Sequence, residues 1–136
     1  MTTTDNLCIA LPGRALLEVG GPDARTFLQG LVSNDVAKVA EGRAIHAALL
    51  TPQGKYLHDF FVFELGGSLL LDAEAARLDD LVRRLKLYKL RAKVDIARAD
   101  RLAVFALIGP KARAVAGQFE GGAIYADPRL DALGAR

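Results

Sequence analysis

The pentapeptide Gly21-Pro22-Asp23-Ala24-Arg25 returns later in the chain as Gly109-Pro110-Lys111-Ala112-Arg113, and this repeat constrains the fold more than any other feature. Each copy follows an apolar stretch, Arg14 to Val19 in the first case and Arg101 to Ile108 in the second. Each also opens a segment with helical apolar spacing: Ala24, Phe27, Leu28 and Leu31, then Ala112, Val115, Ala116 and Phe119. Proline suits the first turn of a helix, where its missing N–H is not needed, and an acid there complements the helix dipole. The repeated unit is therefore a strand, a tight turn and a helix, and the chain reads as an internal duplication. The copies are unequal. The first has the stretch up to Ile96 in which to complete a sheet, whereas the second has only the residues up to Arg136. A strand and a helix cannot bury their apolar faces alone. The expectation is a first domain over residues 1–98 and, over 99–136, the start of a second unit that missing carboxyl-terminal domains or a partner chain would complete.

Between the copies the pattern supplies the rest of one domain. Ala44 to Leu50 and Tyr56 to Glu64 read as strands, joined by the turn Thr51-Pro52-Gln53-Gly54, where proline presets φ and glycine permits φ > 0. Leu65-Gly66-Gly67-Ser68 turns the chain into a short strand, Leu69 to Leu71. Asp72 then stands where an N-cap belongs, ahead of a helix expected over 73–88 with Leu78, Leu81, Val82 and Leu85 as its inner stripe. Asp79–Arg83 and Asp80–Arg84 are spaced as i, i+4 ion pairs on its outer side. Lys93 to Ala97 reads as a closing strand. The order is βαβ(ββ)αβ, which predicts an α+β, ferredoxin-like βαββαβ two-layer domain with helices on one face of an antiparallel sheet.

Charge limits the partners. The 18 Lys and Arg against 16 Asp and Glu leave a net charge of +2, too little for a dedicated nucleic-acid binder, so no direct nucleic-acid contact is expected. An apolar fraction of 51% with 25% charged residues suits a packed globule. No apolar run approaches the roughly 18 residues of a bilayer span. The first residues carry no basic group before their short apolar patch, which is unlike a signal peptide, and the expected location is cytoplasmic. The single cysteine, Cys8, cannot form an internal disulfide. His46 and His58 are not spaced as metal ligands, so no metal is expected. The run Arg83, Arg84, Lys86, Lys89, Arg91 and Lys93 lies at a helix carboxyl end, where cations complement the dipole.

Asp59 is the most informative single position. Strand alternation groups Leu57, Asp59, Phe61 and Phe63 on one face and Tyr56, His58, Phe60 and Val62 on the other. Both faces are largely apolar, so both need cover, yet helices can cover only one. Another domain, a partner or a ligand is expected on the second. A carboxylate among those side chains is expensive to bury without a donor: it pairs with a local group, or it awaits a ligand N–H. The hairpin register puts His46 directly opposite Asp59, or one place off if Gly54 makes a bulge. Asn34-Asp35 reads as an Asx-type turn or as a polar contact at the sheet edge.

Longer motifs carry a family likeness. Phe27-Leu28-Gln29-Gly30-Leu31-Val32-Ser33-Asn34-Asp35-Val36 resembles the opening motif of the YgfZ-type folate-binding proteins, members of the glycine-cleavage T-protein (aminomethyltransferase) superfamily. Gln53 to Asp59 resembles that family's hairpin, and Leu85 to Val94 its helix-to-strand junction, close to the mitochondrial iron–sulfur assembly relatives. The resemblance implies a folate-binding protein with tetrahydrofolate as cofactor, folate and iron–sulfur enzymes as partners, and a role in iron–sulfur cluster assembly or repair and tRNA modification. It implies Asp59 as the folate-facing acid, Asp72 near the pterin, Leu70 bordering the pterin and Asn34 as a further candidate. No catalytic residue is assigned. The family's K-G-C-Y-x-G-Q-E signature does not occur in this chain, which places any thiol-dependent activity outside it. A folate-dependent aminomethyltransferase is the alternative. An RRM-like RNA-binding module ranks last, because no RNP1-like aromatic pattern appears on the third strand.

Overall fold

Two interleaved sets of apolar residues, facing opposite ways along the same strands, decide the architecture. A computed structural model describes residues 7–108 together with Ile124 and Pro128. The Gly109 copy of the repeat and the helix expected after it lie outside the described residues. The strands are Leu7–Ala10 (β1), Arg14–Gly20 (β2), Ile45–Leu50 (β3), Tyr56–Leu65 (β4), Ser68–Glu74 (β5), Asp95–Arg98 (β6) and Phe105–Ile108 (β7). The helices are Ala24–Gln29 (α1) and Leu78–Lys89 (α2). Five strands form one antiparallel sheet in the order β3-β4-β5-β2-β6, and β1 pairs with β7 in a separate two-stranded ribbon. From β2 onward the helix-and-strand order is the one the sequence predicts, and in the sheet β5 lies between β4 and β2.

One face of the sheet carries Leu17, Val19, Ile45, Ala47, Leu49, Phe60, Val62, Leu69 and Leu71. Against it pack Ala24, Phe27 and Leu28 of α1 and Leu78, Leu81 and Leu85 of α2. Phe60, Leu17, Leu28 and Leu81 are fully buried there. Each such side chain contributes about 1.5–3 kcal/mol on burial. The opposite face carries Leu16, Ala44, Phe61, Phe63 and Leu70, and the chain's own Ala99 and Val104, with Leu11 and Leu102, cover part of it. The cover expected from another domain or a ligand is thus supplied in part by the segment after β6.

Local contacts fix how the elements meet. Gly21 has φ +97, and a Cβ there would collide with the Lys93 carbonyl oxygen, so the turn opening α1 needs glycine in both respects. Asp23 does not cap α1 with its side chain; its Oδ2 accepts from the Lys93 N–H at 2.8 Å and ties the turn to the approach to β6. On the helix-covered face, buried His58 of β4 lies 2.7 Å from Asp80 Oδ2 of α2. Asp80 also accepts from Arg83 and Arg84, and these hydrogen bonds hold its carboxyl well below the usual carboxylate range. The expected Asp80–Arg84 pair is present. The expected Asp79–Arg83 pair is not: Asp79 pairs with Arg98 at 2.7 Å, because β6 brings that guanidinium alongside α2. Among the described residues no helix is long and apolar enough to cross a membrane.

Two local expectations are corrected. Asp72 is no N-cap. β5 runs on to Glu74, pairing Asp72 with both Phe61 and Leu16, and α2 starts only at Leu78. The hairpin register also differs: Ala48 stands opposite Asp59, and His46 stands opposite Phe61. The irregularity falls at Leu57, because Leu49 pairs with His58 while Leu50 pairs with Tyr56. This bulge exchanges two side chains: Leu57 packs into the helix-covered core, and Tyr56 turns to the face of Asp59.

Candidate functional site

The open part of the helix-free face centres on Asp59. Its side chain is 47% exposed, and each carboxylate oxygen has its own donor. Tyr56 Oη donates to Oδ1 at 2.7 Å, and His46 Nε2 lies 3.0 Å from Oδ2. An ionised carboxylate only accepts, so His46 Nε2 carries the proton in this contact. Burial opposes ionisation of Asp59, but the hydrogen bonds from Tyr56 and His46, with the charges of His46 and Arg14, outweigh it. The carboxyl sits below its ordinary value. Tyr56 responds in the opposite sense: by donating to Asp59, its hydroxyl is held above its ordinary value.

Beside this acid the part-exposed His46 ring packs against Phe61, which is buried and has a cation over its ring. The rings of His46 and Phe61 are 5.1 Å apart at an interplanar angle of 52°, and the Arg14 guanidinium stands 5.8 Å from the Phe61 centroid. Arg14 is held there by Asp72: Nε donates to Oδ1 at 2.8 Å and Nη2 to the Asp72 carbonyl at 2.7 Å. Asp72 and Leu70 are buried. Asp72 therefore acts on this face through Arg14, and Leu70 through packing beneath Ala99 and Val104.

Asn34 lies along the outer edge of β3, where Val32 bridges Leu49. Its Nδ2 donates to the His46 carbonyl at 3.0 Å and its Oδ1 accepts from the Asp35 N–H. Neighbouring residues of the same motif do similar work. Ser33 Oγ accepts from the Ala48 N–H, Gln29 Oε1 from the Val36 N–H, and Asp35 Oδ1 from the Ala37 N–H. The stretch Gln29 to Ala37 locks the connection after α1 onto the strand that carries His46. Asn34 supports the site from behind His46.

Four candidates came from the sequence, and the structure gathers a different set around Asp59. The hairpin already pointed to His46 as a neighbour of Asp59, although the register that brings them together is different. Tyr56 carried no such signal, since its orientation depends on the bulge, and Arg14 joins only through pairing between distant strands.

Comparisons with known proteins agree with this architecture. The GCVT N-terminal domain family matches residues 14–127. The chain belongs to that family. Iron-sulfur cluster assembly factor IBA57, mitochondrial, from Homo sapiens is 34% identical over 148 aligned positions, covering 95% of this chain and 42% of that protein. The aminomethyltransferase of Bacillus subtilis is 34% identical over 103 positions, covering 73% of this chain and 28% of that enzyme. Glycine cleavage system aminomethyltransferase T from Bartonella henselae shares the fold, with a TM-score of 0.69 at 23% identity over 82% of this chain and 31% of that one. The chain spans less than half the length of these relatives.

Proposed function

We propose that the chain forms the amino-terminal part of a folate site in a protein of iron–sulfur cluster assembly or repair. In this reading it acts in the cytoplasm, and its clients are iron–sulfur enzymes, among them those that modify tRNA. Similarity to IBA57 across nearly the whole chain supports the assembly role. The observation that carries the folate reading is Asp59: a half-exposed, ionised acceptor beside the His46 and Phe61 rings. A pterin presents N–H donors in a plane and a flat apolar surface, so this acid and the part-exposed His46 ring, backed by buried Phe61, fit it. Tetrahydrofolate, when bound, supplies a carrier for one-carbon units.

The chain's residues would divide as follows. Asp59 accepts from the heterocycle and orients it. The His46 ring supplies stacking surface, and buried Phe61 backs it. Arg14, held by Asp72, keeps the far side of Phe61 in place. Leu70 supports this face from beneath, and Asn34 steadies the strand of His46. Titration of 5-formyltetrahydrofolate into the protein, with Asp59→Asn alongside, tests the reading. Saturable binding lost in the variant is expected, and equal behaviour of the two would overturn it.

Similarity to the Bacillus subtilis aminomethyltransferase favours a second reading, aminomethyl transfer using the same acid. An assay with aminomethylated lipoyl carrier protein and tetrahydrofolate separates the two, since turnover is expected only for the second.

A further inference from the structure

Asp59 has two donors of unequal character. His46 is anchored: its carbonyl accepts from Asn34, its backbone is paired with Phe61 in the ladder, and its ring lies against the Phe61 ring. Tyr56 is placed differently. It stands beyond the bulge at the end of β4, its side chain runs outside the regular alternation, and the residue is 56% exposed. Moving such a side chain into water costs little beyond the one hydrogen bond it gives up, whereas moving the His46 ring would also give up its contact with the Phe61 ring. The other charged groups near this pair are Arg14 of β2, close enough to act on Asp59, and Arg77, close enough to act on Tyr56.

We propose that His46 is a positioning residue that fixes one oxygen of Asp59, while the Tyr56 hydroxyl occupies the other oxygen as a stand-in that a ligand N–H displaces. The inference rests on the reading of Asp59 as the folate-facing acid. It goes further in assigning opposite effects to the two neighbours. The ligand it selects is a planar heterocycle with an N–H donor, because only a donor can take the place of the hydroxyl on an ionised carboxylate. Removing Tyr56's hydroxyl removes a competitor; removing His46's N–H frees the acceptor to turn away.

Two measurements test this on the whole chain. Without ligand, the Asp59 carboxyl is titrated by carbon-13 NMR in the parent and in Tyr56→Phe, His46→Phe and His46→Gln. The midpoint is expected to rise in both phenylalanine variants and to stay near the parent in His46→Gln, which retains an N–H donor. An unmoved midpoint in the phenylalanine variants would overturn the positioning. With 5-formyltetrahydrofolate as probe, Tyr56→Phe should bind about two- to tenfold tighter and His46→Phe about tenfold more weakly, as gain or loss of one hydrogen bond implies. Weakening in both would make Tyr56 a ligand contact and overturn the displacement. A parent that does not bind overturns the folate reading and the displacement by folate together, and the positioning then stands or falls on the NMR result alone.

Discussion

Arg14 and Asp72 lie 58 residues apart in sequence, yet Arg14 Nε donates to Asp72 Oδ1 at 2.8 Å and Nη2 donates to the backbone carbonyl of the same residue. The pair crosses from β2 to the neighbouring β5 beneath the helix-free face. The Asp72 side chain is 1% exposed and that of Arg14 is 24% exposed. Taking away the cation facing a buried carboxylate is strongly destabilising, whereas replacing both partners by apolar groups is far milder. Arg14→Ala should therefore lose about 3–5 kcal/mol of unfolding free energy in urea titrations, and the double change Arg14→Met with Asp72→Leu much less. A double-mutant cycle giving no coupling would show that the pair is incidental.

The same residue marks the limit of what the sequence made legible. Asp72 is followed by Ala73, Glu74 and Ala75, good helix material, so the local signal favoured an N-cap. The pairing of Asp72 with Phe61 on one side and Leu16 on the other overrides that preference and carries the strand past Leu71 to Glu74. Pairing between distant strands leaves no local trace. Alternation, by contrast, correctly put Asp59, Phe61 and Phe63 on one face and His58, Phe60 and Val62 on the other. It failed only at Tyr56 and Leu57, where the bulge inserts an extra residue. The strand β1 was missed for a similar reason: its partner β7 comes from the far end of the described chain.

Asp80 predicts an acid limb. Its carboxylate accepts from His58, Arg83 and Arg84 and is held below its ordinary value, chiefly by the Arg84 hydrogen bond. A depressed folded-state value means that the contribution is fully present above the unfolded value, 3.8, and is lost as pH falls through the folded one. Asp80→Asn should thus be less stable than the parent at neutral pH. The gap should close progressively as pH drops below 3.8, measured as unfolding midpoints across an acid series. A gap independent of pH would assign the loss to packing of the amide.

Gly21 predicts a backbone effect independent of charge. Its φ of +97 disfavours any L side chain, and an added Cβ would meet the Lys93 carbonyl oxygen and come within 3.1 Å of Val94 Cα. Gly21→Ala should cost more than about 1 kcal/mol, because strain and collision combine. Gly54 also has positive φ, +86, but open space around it. Gly54→Ala should be the milder of the two, and thermal unfolding of both variants separates collision from strain.

Asn34 predicts a structural loss where the family motif suggested a ligand contact. Its amide holds the His46 carbonyl at 3.0 Å, on the outer side of edge strand β3. Asn34→Ala should lower unfolding free energy by about 0.5–1.5 kcal/mol, the net worth of one hydrogen bond. It should also loosen the strand carrying His46, so backbone amide exchange should quicken around Ile45 to Ala47 and not around Leu69 to Leu71, which lie inside the sheet. If stability and exchange stay at parental levels while 5-formyltetrahydrofolate affinity falls, Asn34 touches the ligand directly and its bond to His46 is secondary.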